Sequence, residues 1–63
     1  MTYYITIPNS VTSIAASAFE YSEFNNPGIS NRAVIFYGRT LVEVQAMANY
    51  PWGIYDTSII SVA

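Results

Sequence analysis

The sequence contains no cysteine and no histidine, and Arg32 and Arg39 are its only cations. Without cysteine there is no disulfide to staple a small fold and no thiolate to act as nucleophile or metal ligand. Without histidine the chain lacks the side chain that titrates near neutral pH and the commonest metal ligand. Catalysis needs acid–base or nucleophilic groups held close together, so the composition argues against an enzyme and against a resident metal or cofactor. Two cations cannot neutralise a phosphate backbone, which argues against nucleic acid and an anionic membrane surface as partners. The 4 carboxylates of the whole chain are also few for a calcium cage, which gathers several ligands within one short loop. No apolar run approaches the roughly 18 residues of a membrane-spanning helix. The N-terminus shows no basic region followed by an apolar run, the mark of a signal peptide.

What is present is 63 residues, 52% hydrophobic and 10% charged. This is enough for a single domain, and at this size only about 60% of the unfolded chain's surface is buried on folding. Without disulfide or metal, stability must come from an efficient core, from a partner subunit or from a larger protein. A typical soluble domain is about 25% charged. The surface here must instead be Ser, Thr, Asn and Tyr, which gives little protection against self-association.

Tyr3 to Ile7 is aromatic and β-branched, and predicts a half-buried strand with Ile5 and Ile7 inward. Pro8 ends it by removing a ladder donor, and Asn9-Ser10 is turn chemistry. Val11 and Ile14 are expected to point inward round a corner, and Ala15 to Phe19 to form a short helical turn with Phe19 as a plug. Asn25-Asn26-Pro27-Gly28 marks a loop, with Phe24 and Ile29 as anchors. Ala33 to Tyr37 predicts a second strand closed by Gly38. Thr40 and Glu43 are spaced as a capping box, and the helix they open is expected to run to about Asn49, burying Leu41, Val44 and Ala48 with Met47 beside them. Pro51 stops it, and Trp52 and Ile54 fold over its end. Ser58 to Val62 predicts a third strand. Residues 1–63 therefore read as one domain, with 1–32 one repeat and an irregular loop, and 33–63 the second strand, a capping helix and the terminal strand.

From Ile5 to Val34 is 29 residues, and from Val34 to Ile60 is 26. Such spacings suit parallel strands, whose crossovers need about a dozen residues or more, and they fall in the range of leucine-rich repeats, about 20–29 residues. The segment Ile5-Thr-Ile-Pro-Asn-Ser-Val-Thr-Ser-Ile14, followed by Ala18-Phe19, resembles a repeat of the BspA-like leucine-rich repeat proteins. Phe36 to Ile54 is similar to the segment that closes their arrays. Ala15 stands where that family usually has glycine, Ser22 where it has cysteine, and the stretch from Glu23 to Arg32 is longer than its link. The expected fold is therefore an α/β repeat: a right-handed leucine-rich-repeat-like solenoid fragment with three short parallel strands and one capping helix. The alternative is a small α+β fold. The resemblance implies a secreted or cell-surface protein used in adhesion and protein binding.

Alternation along the three strands places Tyr4, Thr6, Ile35, Tyr37, Ile59 and Ser61 on the outer face of the sheet. With strands about 4.8 Å apart these form one patch, a candidate surface for a protein partner. The unpaired edge of the first strand is the second candidate, and it predicts a homo-oligomer. Trp52 reads as a core plug rather than a ligand platform, Thr40 and Glu43 as a cap rather than a catalytic pair, and Glu20 and Glu23 as solvated acids. Two functions follow. One is a non-enzymatic interaction or adhesion module of the BspA-like type. The other is a small phage-encoded protein that binds and inhibits a host or defence protein, placed in the host cytoplasm and favoured by a strand that starts directly after Met1.

Overall fold

Three strands form the sheet: β1 (Thr2–Ile7), β2 (Asn31–Phe36) and β3 (Ile60–Val62). The structure is a computed structural model and describes residues 2–63. All pairings are parallel and the order is β1-β2-β3. The register sets Ile5 beside Val34 and Val34 beside Ile60, then Ile7 beside Phe36 and Phe36 beside Val62. These rows line the inner face. Ile7, Val34, Phe36 and Ile60 are buried there and Ile5 is half-buried, whereas Val62, at the rim, is exposed.

The two crossovers are unlike each other. The first, residues 8–30, contains no α-helix and only a single 3-10 turn, Glu23–Asn25. Tight turns occupy the Ala16 to Tyr21 stretch instead of the expected helical turn. The second crossover carries the one helix, α1 (Leu41–Gln45), and a 3-10 turn, Thr57–Ile59. The expected capping box is present: the Thr40 hydroxyl accepts from the Glu43 backbone N–H at 3.2 Å, and the Glu43 carboxylate accepts from the Thr40 N–H at 2.8 Å. The helix is shorter than expected and buries Val44 alone, with Leu41 and Ala48 exposed. Its continuation is a run of tighter turns, with Met47, Tyr50, Trp52 and Ile54 each donating to the carbonyl three residues back. Asn49 lies in the left-handed region at φ 68°, the conformation that commonly closes a helix.

These observations correct the expected architecture. A solenoid needs a repeating unit that stacks on copies of itself. Here one crossover is helix-free, the other helical, and the strands are 6, 6 and 3 residues long. The radius of gyration is 11.0 Å, close to the roughly 10.6 Å of an independent domain this size. The chain is a single small α+β domain with one helix and an open three-stranded parallel sheet, not a leucine-rich-repeat solenoid. The expectation that the downstream edge is capped is corrected as well, since β3 has no further strand beside it among the described residues.

The core is centred on Trp52, which is fully buried, as are Phe36, Val34 and Val44. Its ring lies 5.4 Å from that of Phe36 and meets Tyr50 edge-on at 5.2 Å. Its indole N–H donates to the Ala48 carbonyl at 3.0 Å, so burial leaves no orphaned donor. The main chain at Trp52 joins the crossovers: Phe19 N–H donates to the Trp52 carbonyl at 2.9 Å. Trp52 has φ 57°, and Gly53 follows at φ 87°. A Cβ on Gly53 would lie 2.8 Å from the Glu20 backbone nitrogen, so both its conformation and its closeness to the first crossover require glycine. Gly53→Ala is expected to cost about 2 kcal/mol or more, read as a fall in the thermal midpoint of roughly 10 °C or more. An unchanged midpoint would show that the crossovers are not in this contact.

Candidate functional site

Among the described residues there is no pocket, and no group of three or more acidic, cysteine or histidine side chains is placed to hold a metal ion. Among the same residues no helix is long and apolar enough to cross a membrane. The candidate site is therefore an open surface.

The outer face of the sheet is built by the ladder itself. Thr6, Ile35 and Ser61 form one row across all three strands, and Tyr4 pairs with Ala33 in the row before. Tyr37 extends the ladder one step beyond β2 by donating its N–H to the Ile7 carbonyl at 3.0 Å. Gly38 then turns the chain at φ 75°, with the Asn9 side chain where a Cβ would sit. Tyr4 is 62% and Tyr37 47% exposed, Thr6 and Ser61 are exposed, and Ile35 is half-buried between its neighbours. Five of the six expected residues are thus brought to one uncharged face. Ile59 is not: it lies in the 3-10 turn before β3 and packs against the core. Ala33 takes part and was missed, although the alternation that turns Ile35 outward applies to it equally. A second set of exposed aromatics lies away from the sheet. Tyr21, at φ 60°, is 92% exposed and Tyr55 72%. Both lie in crossovers without a periodic pattern to signal them.

Neither arginine belongs to this face. Arg39 Nη2 donates to the carbonyls of Val11 at 2.7 Å and Asn9 at 3.2 Å. Arg32 Nη1 donates to the Phe24 carbonyl at 2.8 Å, and its Nη2 lies 3.7 Å from Asp56. Both cations are engaged with the first crossover, which leaves the sheet face neutral.

Two carboxylates titrate below their ordinary values. Glu43 is held below 4.5 by the backbone and side-chain hydrogen bonds with Thr40, helped by the Arg39 charge. Asp56 is held below 3.8 by hydrogen bonds from the Ser58 hydroxyl and N–H, helped by Arg32. A depressed folded-state pKa contributes stability that is present above the unfolded value and is lost as pH falls through the folded one. Stability is therefore expected to be flat from neutral pH down to about 5 and to fall below about pH 4. Glu43→Gln with Asp56→Asn should flatten that acid limb in denaturant titrations; an acid limb of undiminished steepness in this variant would contradict the assignment.

No protein-family model, no curated protein and no solved structure matches the chain. It is the architecture, a single small α+β domain whose two crossovers are unlike, that corrects the resemblance to BspA-like leucine-rich repeat proteins, and with it the reading as an adhesion module of that type.

Proposed function

We propose that this domain is a non-enzymatic protein-binding module that engages its partner through the outer face of the sheet. The observation that carries the reading is the contiguous, uncharged patch of Tyr4, Thr6, Ile35, Tyr37 and Ser61 on a hydrogen-bonded ladder. Interface cores are depleted in charge and enriched in tyrosine, whose ring offers large contact area for little lost rotamer freedom. A parallel ladder with β2 bonded on both sides fixes the backbone under these side chains, so little ordering remains to be done on binding. Of the two functions read from the sequence, a small protein that binds and inhibits another protein fits a compact domain better than an array adhesin does. A body 29 × 22 × 17 Å across is large enough to cover one partner surface with this face.

The test is affinity capture from the source cell's lysate with the wild-type domain and with Tyr4→Ala plus Tyr37→Ala. Both side chains project from the outer face, so Trp52 fluorescence should be unchanged and report a folded variant. Loss of two anchoring tyrosines at about 1.4 kcal/mol or more each corresponds to a capture weaker by about a hundredfold. Equal capture by the folded double variant would remove the sheet face as the binding site.

A further inference from the structure

We propose that the free edge of β1 is a dimerisation site whose occupant is a second copy of this chain, paired antiparallel across a twofold axis at Tyr4. The inference concerns the edge of the sheet and does not depend on the reading of its outer face.

The ladder fixes which backbone groups point outward. Tyr37 N–H donates to the Ile7 carbonyl at 3.0 Å, so Ile7 faces β2, and with it Ile5 and Tyr3. In a parallel ladder, alternate residues present both their N–H and C=O to the opposite side. The outward set is Thr2, Tyr4 and Thr6, and no strand pairs with it among the described residues. The next outward position is Pro8, which has no N–H to give. Among the described residues the edge therefore runs from Thr2 and ends at Thr6.

That length selects a register. Setting Tyr4 of one copy opposite Tyr4 of the other brings Thr6 opposite Thr2 on both sides. Each of these facing pairs exchanges both of its N–H to C=O bonds, so every outward group of the set is used. Moving the axis to Ile5 would leave Thr2 facing Pro8. The register centred on Tyr4 also sets Tyr3 against Ile5 of the other copy on the inner face, in the closely spaced, non-hydrogen-bonded positions. Both side chains are half-buried, and Ile5 packs against the core. An aromatic against a β-branched residue is a favourable cross-strand pair, and it would cover the exposed remainder of both.

Nothing in β1 opposes self-pairing. Edge strands of monomers are usually guarded by lysine, an inward charge, a bulge or an internal proline. Thr2–Ile7 has no charged residue and no proline, its register with β2 is unbroken, and the chain contains no lysine. Two such strands meet without repulsion, and a twofold pairing closes on itself, using the longer free edge of each molecule and leaving only the β3 edges among the described residues. The edge of β3, three residues long, is too short to compete.

Sedimentation equilibrium from low to high micromolar concentration, with amide exchange at both limits, tests the proposal. The expected result is a species of twice the 7.0 kDa chain mass. The Tyr4 and Thr6 amides should become protected only at the dimer concentration, whereas those of Ile5 and Ile7 are protected throughout. Thr6→Pro removes an outward N–H without touching the β1–β2 ladder, since proline is tolerated at such an edge position. It should weaken dimerisation at least tenfold with Trp52 fluorescence unchanged. Should proline disturb the strand, Tyr4→Lys, which keeps every backbone group and sets like charges opposite each other at the axis, should give the same loss. A wild-type monomer at high micromolar concentration, an open series of larger species, or a dimer that leaves the Tyr4 and Thr6 amides unprotected would overturn it.

Discussion

The structure depends on how a crossover without a helix satisfies its own carbonyls. Buried main-chain groups must find partners, and a helix would satisfy them internally. Residues 8–30 have no α-helix: turn bonds take the carbonyls of Pro8, Ala15, Ser17, Phe19, Ser22, Glu23 and Asn26, and side chains serve others. Arg39 donates to Asn9 and Val11, Asn49 to Ile14, Asn25 to Phe19, and Arg32 to Phe24. Arg32 belongs to β2, and Arg39 and Asn49 to the second crossover, so these bonds also fasten the two crossovers together over the core. Asn25 lies at the junction. Its amide donates to Phe19 and, at 2.7 Å, to the Gly53 carbonyl, while its oxygen accepts from Tyr55 N–H at 2.8 Å.

This arrangement connects to the surface. The only two cations are drawn into the crossover, and the acids sit at turns and caps, so the sheet carries an uncharged outer face and an unguarded edge. The left-handed residues Asn49 and Trp52 and the turn at Gly53 bring the second crossover close enough for the bonds to form. A helix continued to Asn49 would have held that residue out of the conformation from which it reaches Ile14.

Much of the fold was legible in the chain. β-branched and aromatic runs gave the strands, the Thr40 and Glu43 spacing gave the cap, and the position of Trp52 beside Pro51 gave the core plug. Equal spacing of strands misled: 29 and 26 residues bring parallel strands into register, yet spacing says nothing about whether the intervening segments are alike. The helix was overextended because Leu41, Val44 and Ala48 are periodic, whereas the positive φ of Asn49 has no periodic signature. The side-chain bonds across the crossovers were illegible for the same reason, since Asn25 reads locally as turn chemistry and its partners at Gly53 and Tyr55 lie far along the chain. On the outer face, alternation placed five of six residues, and it failed at Ile59 because a 3-10 turn interrupts the period of two.

The most direct test of the central claim is thermal unfolding of Asn25→Asp at pH 7. The substitution keeps size, shape and the oxygen that accepts from Tyr55. It exchanges the donor for a charged acceptor facing the Phe19 and Gly53 carbonyls. If side-chain donors hold the crossovers together, the loss should be about 2–3 kcal/mol, a fall of roughly 10 °C or more in the midpoint. A midpoint within about 2 °C of wild type, well under the roughly 4–8 °C that a single kcal/mol moves a domain this size, would contradict the account.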